Sequence, residues 1–283
     1  VMTELSYEQI TSLEKIARSL RADSLRFIYG RGSGHPGGAL SAAEILAVLY
    51  FHELRIDPQH PDWSERDRFI LSKGHASAVL YAALARRGFF DKNELKNWGE
   101  VDCPHQGHPD RLKTPGVDMT SGILGHGVAV GVGLALAARM KKSPSRTYVL
   151  IGDGESQAGI VWEGAAAAAK YRLSNLVVIL DLNDVQLDGP MHEIMPMDHM
   201  AQRWEACGWY VMQVNGHSVR QLVEGLDLAR EIHDKPVCII ARTTKGKGVS
   251  FMENDSFWHG NVPSKEQLEQ ALLELGVEEE KNG

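Results

Sequence analysis

The chain has 283 residues, 43% hydrophobic and 24% charged, with a formal net charge of -7. That is enough chain to bury a large core, as one big domain or two small ones, with the composition of a soluble globular protein. The negative balance argues against nucleic acid as a partner, and no apolar run reaches the ~18 residues that a membrane span requires.

In chain order, Val1-Met2 reads as a remnant ahead of the natural start, and no charged-then-apolar leader precedes the first helix. That helix is predicted over Ser6 to Tyr29, with Leu13, Ile16, Ala17, Leu20, Leu25 and Ile28 at helical spacing. Gly30 to Gly38 holds five glycines and a proline in nine residues, which predicts a loop that lets backbone approach another group closely. Ser41 and Glu44 have the spacing of a capping box, opening a second helix that is apolar on nearly every side and so buried. Arg68 to Ser72 reads as a short strand, and Lys73-Gly74-His75 turns from it into a helix through Leu84. Asp91 to Trp98 reads as a short surface helix. Gly99 to Gly122 is irregular, with Cys103, His105, His108 and three prolines. A loop of this length inside a compact domain points to function.

Gly122 to Gly127 opens a Gly- and Ala-rich helix, Val128 to Met140, whose small residues allow close helix packing. Thr147 to Pro190 then reads as an apolar strand ending in Gly-Asp-Gly, an Ala-rich helix, and a second apolar strand ending in Asp-Leu-Asn-Asp. Two further buried strands, Trp209 to Val214 and Pro236 to Thr243, flank a helix from Ser218 to Ile232. A loop from Thr244 to Gly260 follows, and Ser264 caps a last helix, Lys265 to Leu275, before a frayed acidic tail at Glu278-Glu279-Glu280. With no internal repeat and no linker, the expected architecture is α/β: a single doubly wound domain, a mostly parallel sheet with helices on both faces.

Cys103, Cys207 and Cys238 are odd in number and lack a CxxC spacing, so no disulfide framework is expected and a cytoplasmic enzyme is. Ligands of such sheets bind at the carboxyl ends of the strands. Asp153 and Asn183, 30 residues apart, end the two central strands. With a backbone carbonyl such as that of Val185 they would supply all-oxygen ligands to Mg²⁺, which keeps phosphate oxygens in its shell. Gly154 would let a diphosphate approach the start of the next helix, where free N–H groups favour anions. A lone Gly-Asp-Gly is also a common turn, so the pairing with Asn183 carries the reading. Four histidines, His35, His75, His108 and His259, sit in loops, where imidazoles suit hydroxyl binding and proton shuttling. Cys103, His105 and His108 suggest a zinc cluster but lack a fourth ligand at suitable spacing. Gly246-Lys247-Gly248 is not a P-loop.

The stretches SGHPGG (33–38), LSKGHAS (71–77), QGHPD (106–110), SGILGHG (121–127), GDGES to DLNDVQLDG (152–189) and FWHG (257–260) occur in the order found in transketolases. From about Leu20 to His259 the chain resembles the N-terminal, thiamine-diphosphate-binding half of that family. The resemblance implies that Asp153, Asn183 and the Val185 carbonyl hold Mg²⁺ and that Gly154 contacts the diphosphate. It implies that His75 and the backbone of Gly122, Ile123 and Leu124 touch the cofactor. His35, His108 and His259 would face the sugar and help proton transfer, with His259 also near the diphosphate. Transketolases are more than twice this length, and the family's pyrimidine-binding and C-terminal domains are not in this sequence. The chain, residues 1–283, is thus expected to act as the N-terminal subunit of a split enzyme in an α2β2 assembly with a C-terminal subunit carrying the pyrimidine-binding domain. The implied reaction moves a two-carbon ketol unit from a ketose (phosphate) to an aldose (phosphate). Half of another thiamine-diphosphate enzyme (a 2-oxoacid dehydrogenase or a deoxyxylulose-phosphate synthase) and a non-catalytic partner-binding paralogue are the alternatives. The histidine set favours sugar hydroxyls over a carboxylate. His126 stands where the family commonly has Gln, and Ala158 where it often has Glu near a subunit interface.

Overall fold

The computed structural model describes residues 5–277, so the Val1-Met2 start and the acidic tail at 278–280 lie outside the described residues. Ser6 caps the first helix, α1 (Tyr7–Arg31), through a reciprocal pair with Gln9, and Gly32 ends it in the left-handed region at φ 70°. Two short helices follow, α2 (Pro36–Ser41) and α3 (Ala43–Val48), the latter running into a wider turn over Leu49–Glu53. Here the predicted loop is too long and the predicted cap is absent. Pro36 starts α2 early, as a proline preset to helical φ and lacking an N–H does well. Gly37 and Gly38 are therefore helical, and a Cβ on Gly37 would stand 3.0 Å from the Trp258 carbonyl. Close packing, and not loop freedom, explains that glycine. Ser41 ends α2 and donates its hydroxyl to Asp181 at 2.6 Å, while Glu44 pairs with Arg21. The helix that Ser41 was expected to open is buried throughout, as its apolar surface requires.

The rest alternates strand and helix: β1 (Arg68–Leu71), α4 (Ser77–Arg87), α5 (His126–Met140), β2 (Thr147–Gly152), α6 (Gly159–Lys170) and β3 (Leu176–Leu182). Two short helices that the sequence pattern leaves unassigned, α7 (Met191–Ile194) and α8 (Met200–Ala206), precede β4 (Tyr210–Asn215), α9 (Val219–Glu231), β5 (Val237–Arg242) and α10 (Lys265–Glu274). Asp91 to Trp98 forms a capped 3-10 turn over Lys92–Asn97 in place of the expected helix. Among the described residues five strands form one sheet, all parallel, in the order β1-β2-β3-β5-β4.

Alternate residues along each central strand face opposite layers. Tyr148, Leu150, Val177, Ile179, Val237 and Ile239 pack with residues of α1, α3, α4 and α9. Val149, Ile151, Val178, Leu180, Cys238 and Ile240 pack with residues of α5, α6 and α8. Both faces are covered, which is how an all-parallel sheet hides its near-continuous apolar strands. β4 departs from the expected buried strand. It lies at the sheet edge with Gln213 and Asn215 exposed, and an edge strand needs less apolar surface. A third cluster joins α1 to α10 through Leu25, Val249, Met252 and Trp258, tying the 244–260 loop to the body.

Candidate active site

The carboxyl ends of β1, β2, β3 and β5 open on one cavity of about 360 Å³. β1 delivers Lys73 and His75, β2 delivers Asp153 and Gly154, β3 delivers Asn183 and Val185, and β5 leads to Lys245. His35 enters from the start of α2, His108, Gly122 and Leu124 from the irregular segment, and His259 from the 3-10 turn Ser256–His259. All four loop histidines therefore meet. His35 lies 5.2 Å from His75, 6.5 Å from His108 and 5.6 Å from His259 between ring centres, and His75 stacks on His259 at 5.1 Å.

These imidazoles are held neutral. Burial is the main cause for each, pushing His75 well below the usual range and lowering His35 and His108. For His259, burial and then the Lys245 ammonium bring the pKa down to about 3. Neutral rings each offer one donor and one acceptor, the set that recognises hydroxyl groups and relays protons between them.

Across the cavity Asp153 is 4% exposed. Its carboxylate accepts the N–H groups of Gly154 at 2.7 Å, Asn183 at 2.8 Å and Asp184 at 2.6 Å. Burial, followed by the charge of Asp181, still pushes its pKa up to about 6. Asn183 and Val185 line the same cavity, and the Asn183 amide oxygen accepts the Val185 N–H at 3.2 Å. Lys245 donates to the Val185 carbonyl at 2.8 Å and meets His259 Nδ1 at 2.8 Å. Burial brings the Lys245 ammonium down to about 8.

Two buried networks that the sequence pattern does not reveal hold this arrangement. Lys73 pairs with Asp181 at 2.5 Å and donates to the Gly38 carbonyl at 2.9 Å. Asp181 also accepts from Ser41, Thr243 and the Asn183 amide nitrogen, so the amide oxygen of Asn183 turns the other way. Burial raises the Asp181 pKa, but the Lys73 charge and the hydrogen bonds outweigh it and leave the carboxyl below its ordinary value. Glu155 is the second anchor. It accepts from Ser72, from the Gly125 N–H at 2.7 Å and from the Gly152 N–H at 3.0 Å, locking the 122–125 segment to β1 and β2. The signal for these residues was available: a charged side chain flush against an apolar strand end has to find a buried partner.

Other residues sit differently from what local sequence suggests. Gly154 opens a 3-10 turn (Gly154–Gln157), and α6 begins at Gly159, so no α-helix N-terminus faces the cavity at Gly154. Ile123 is 72% exposed and outside the cavity lining, though Gly122 and Leu124 on either side line it. The zinc cluster disperses: His105 is buried, stacked on Phe90 at 4.0 Å, while His108 turns to the cavity. Among the described residues no group of three or more His, Cys, Asp or Glu could hold a metal. His126 is the first residue of α5, with its ring near the Leu124 carbonyl. Ala158 packs against Gly125, where an added Cβ would come within 2.8 Å of it.

The doubly wound parallel sheet, with acidic and amide residues at two strand ends and a ring of imidazoles beside them, makes this an α/β domain with a polar ligand site at the carboxyl ends of its strands. Residues 12–282 match the family described as transketolase, thiamine diphosphate binding domain. The chain belongs to the transketolase family. It is 40% identical over 280 residues to one of the subunits of the apulose-4-phosphate transketolase of Phocaeicola vulgatus, covering 97% of this chain and 99% of that one. It is 41% identical over 271 residues to a 6-deoxy-6-sulfo-D-fructose transketolase subunit of Clostridium sp. strain MSTE9, covering 96% and 98%. The solved transketolase from Leishmania mexicana superposes with a TM-score of 0.90 at 33% identity, over 95% of this chain and 42% of that one. The chain likewise spans 42% of human transketolase, at 39% identity.

Proposed function

We propose that this chain is the diphosphate-binding subunit of a two-component transketolase, transferring a two-carbon ketol unit from a ketose phosphate to an aldose phosphate. The observation that carries the reading is the meeting of four neutral imidazoles with an all-oxygen donor set in one cavity. A hard divalent cation fits that set. Asp153 is a buried carboxylate with three N–H partners and a pKa still raised to about 6, a state that a bound cation would relieve. Asp153, the Asn183 oxygen and the Val185 carbonyl are the proposed Mg²⁺ ligands, and Gly154 and Lys245 the diphosphate contacts. When bound, thiamine diphosphate supplies the electron sink for breaking a bond beside a carbonyl, with Mg²⁺ neutralising its diphosphate.

The remaining roles belong to this chain's side chains. His75 and the backbone at Gly122, Ile123 and Leu124 support the cofactor's body. His35, His108 and His259 orient substrate hydroxyls and pass protons between them, which neutral rings do in either direction. Buried Lys73 and Asp181 hold Asn183 and α2 in place. Relatives named as subunits, matched nearly end to end, support a partner chain; its carrying the pyrimidine-binding part, in an α2β2 assembly, is part of the proposal. The cytoplasm is the proposed compartment, supported by three free cysteines. No helix among the described residues is long and apolar enough to cross a membrane. The test is co-purification with the partner chain, followed by a donor–acceptor panel read by mass spectrometry. Ketol transfer is expected from the pair only, and appreciable transfer by this chain alone would refute the two-component reading.

A further inference from the structure

We infer that His217, outside the cavity, is a positioning residue that sets the backbone at Thr244 and so aims Lys245 into the site. The inference rests on the reading of Lys245 as a diphosphate contact.

The geometry runs through four elements. After β4 the chain turns at Gly216, whose N–H donates to the Arg242 carbonyl at 2.8 Å; a Cβ there would stand 2.5 Å from Thr243 Cγ2. That close approach seats His217 beside the loop leaving β5. The Thr244 N–H donates to His217 Nε2 at 2.8 Å. A backbone N–H is only a donor, so Nε2 is the bare nitrogen and the ring proton sits on Nδ1. Nδ1 lies 3.0 Å from Glu44 Oε2, and Glu44 is gripped by both ends of the Arg21 guanidinium, at 2.7 and 2.5 Å. Burial works to raise the Glu44 pKa, but His217 and Arg21 together hold it below its ordinary value. The carboxylate stays charged and keeps one tautomer of His217 in place.

The residue after Thr244 is Lys245. Its carbonyl accepts from the Asn254 N–H at 2.9 Å, and the next N–H, of Gly246, donates to the Gly37 carbonyl at 3.1 Å. Thr244, Lys245 and Gly246 are thus pinned in succession, and only the first pin is a side chain. The long Lys245 side chain has four rotatable bonds, so its aim at Val185 and His259 depends on a fixed starting backbone.

Conservative replacements separate positioning from bulk stability. In His217→Gln the amide oxygen reaches the place of Nε2 and can accept from Thr244. In His217→Asn the shorter amide reaches the place of Nδ1, keeping Glu44 but leaving the Thr244 N–H without its acceptor. Two readouts on the full chain test this. By amide hydrogen exchange, Thr244 should be protected in wild type and His217→Gln and lose protection in His217→Asn, with β5 amides unchanged. By calorimetric titration with magnesium thiamine diphosphate, His217→Asn should bind about tenfold more weakly, the worth of one lost hydrogen bond, and His217→Gln within about threefold of wild type. Equal Thr244 protection in His217→Asn and wild type would overturn the inference, as would lost protection with undiminished affinity. A wild-type chain that takes up no cofactor alone is titrated again with its partner subunit, where no uptake would fail the reading of the site, and the exchange data decide in either case whether His217 holds the loop.

Discussion

Replacing Asp153 by Asn separates what this residue does for the fold from what it does for the cation. The two side chains have nearly the same shape, so the site is not emptied. With its pKa pushed up to about 6 from an ordinary 3.8, the ionised carboxylate disfavours the fold by about 3 kcal/mol near neutral pH. Asn removes that penalty. It also loses an acceptor: one amide oxygen can serve the Asn183 and Asp184 N–H groups, but the amide nitrogen then faces the Gly154 N–H. One stranded buried donor costs about 1–3 kcal/mol. The two effects oppose each other, and the apo chain should keep its urea stability to within about 2 kcal/mol. The cation tells a different story, because Asp153 is the only carboxylate in the proposed ligand set. Its loss should weaken magnesium-dependent binding of thiamine diphosphate by at least about a thousandfold, or about 4 kcal/mol. Calorimetry with and without Mg²⁺, beside urea titrations, reads both numbers. Unchanged affinity in a folded Asp153→Asn chain would sink the metal assignment, and an unfolded chain would sink the energy balance.

The histidine ring makes a pH prediction. His259 is depressed from 6.5 to about 3, so its contribution to stability is present above pH 6.5 and is lost as pH falls toward 3. The other three rings are lowered too and push the same way. Urea midpoints should fall between pH 7 and pH 5, less steeply in His259→Asn, and parallel curves for the two proteins would contradict the assignment. Lys73→Met leaves Asp181 as a fully buried, uncompensated charge and should cost about 3–5 kcal/mol. Adding Asp181→Asn should restore at least half of that loss, and a double variant no more stable than Lys73→Met would show that the pair is not the cause.

Much of this arrangement is legible in the sequence alone, and for one reason. Apolar runs ending in Asp153 and Asn183 announce strands whose ends must do something polar, and loops dense in Gly and His announce a surface that backbone can approach. Those signals are local. The missed features are the ones in which a residue's partner is far away in sequence. Ser41 and Glu44 have the spacing of a cap, yet they bind Asp181 and Arg21, 140 and 23 residues away. Local pattern carries no information about those partners, so the nearby explanation won wrongly. His217 has no Gly-rich context to draw attention to it, although it reaches back to Glu44 across 173 residues. Gly37 misled in the other direction, since a glycine demanded by packing against Trp258 reads the same as one demanded by a turn.

The parallel sheet also explains why site and fold are hard to separate here. In a strand with one apolar face, a slip of one residue exposes the core and is forbidden by burial alone. β2 and β3 are buried on both faces, so a slip would exchange one apolar residue for another: Val177 for Val178, Ile179 for Leu180. Burial therefore specifies their register weakly. The polar groups at the carboxyl ends specify it strongly. Gly152 is paired with Asp181 across the two strands, and that pairing lets the next residue, Asp153, accept the N–H groups of Asn183 and Asp184. The same register brings Asp181 to Lys73 beyond β1 and to Thr243 beyond β5. A slip would strand a buried carboxylate on each strand end, a far larger penalty than any difference between Val and Ile. The residues that ready the cavity for a cation are thus the residues that tell the strands how to align.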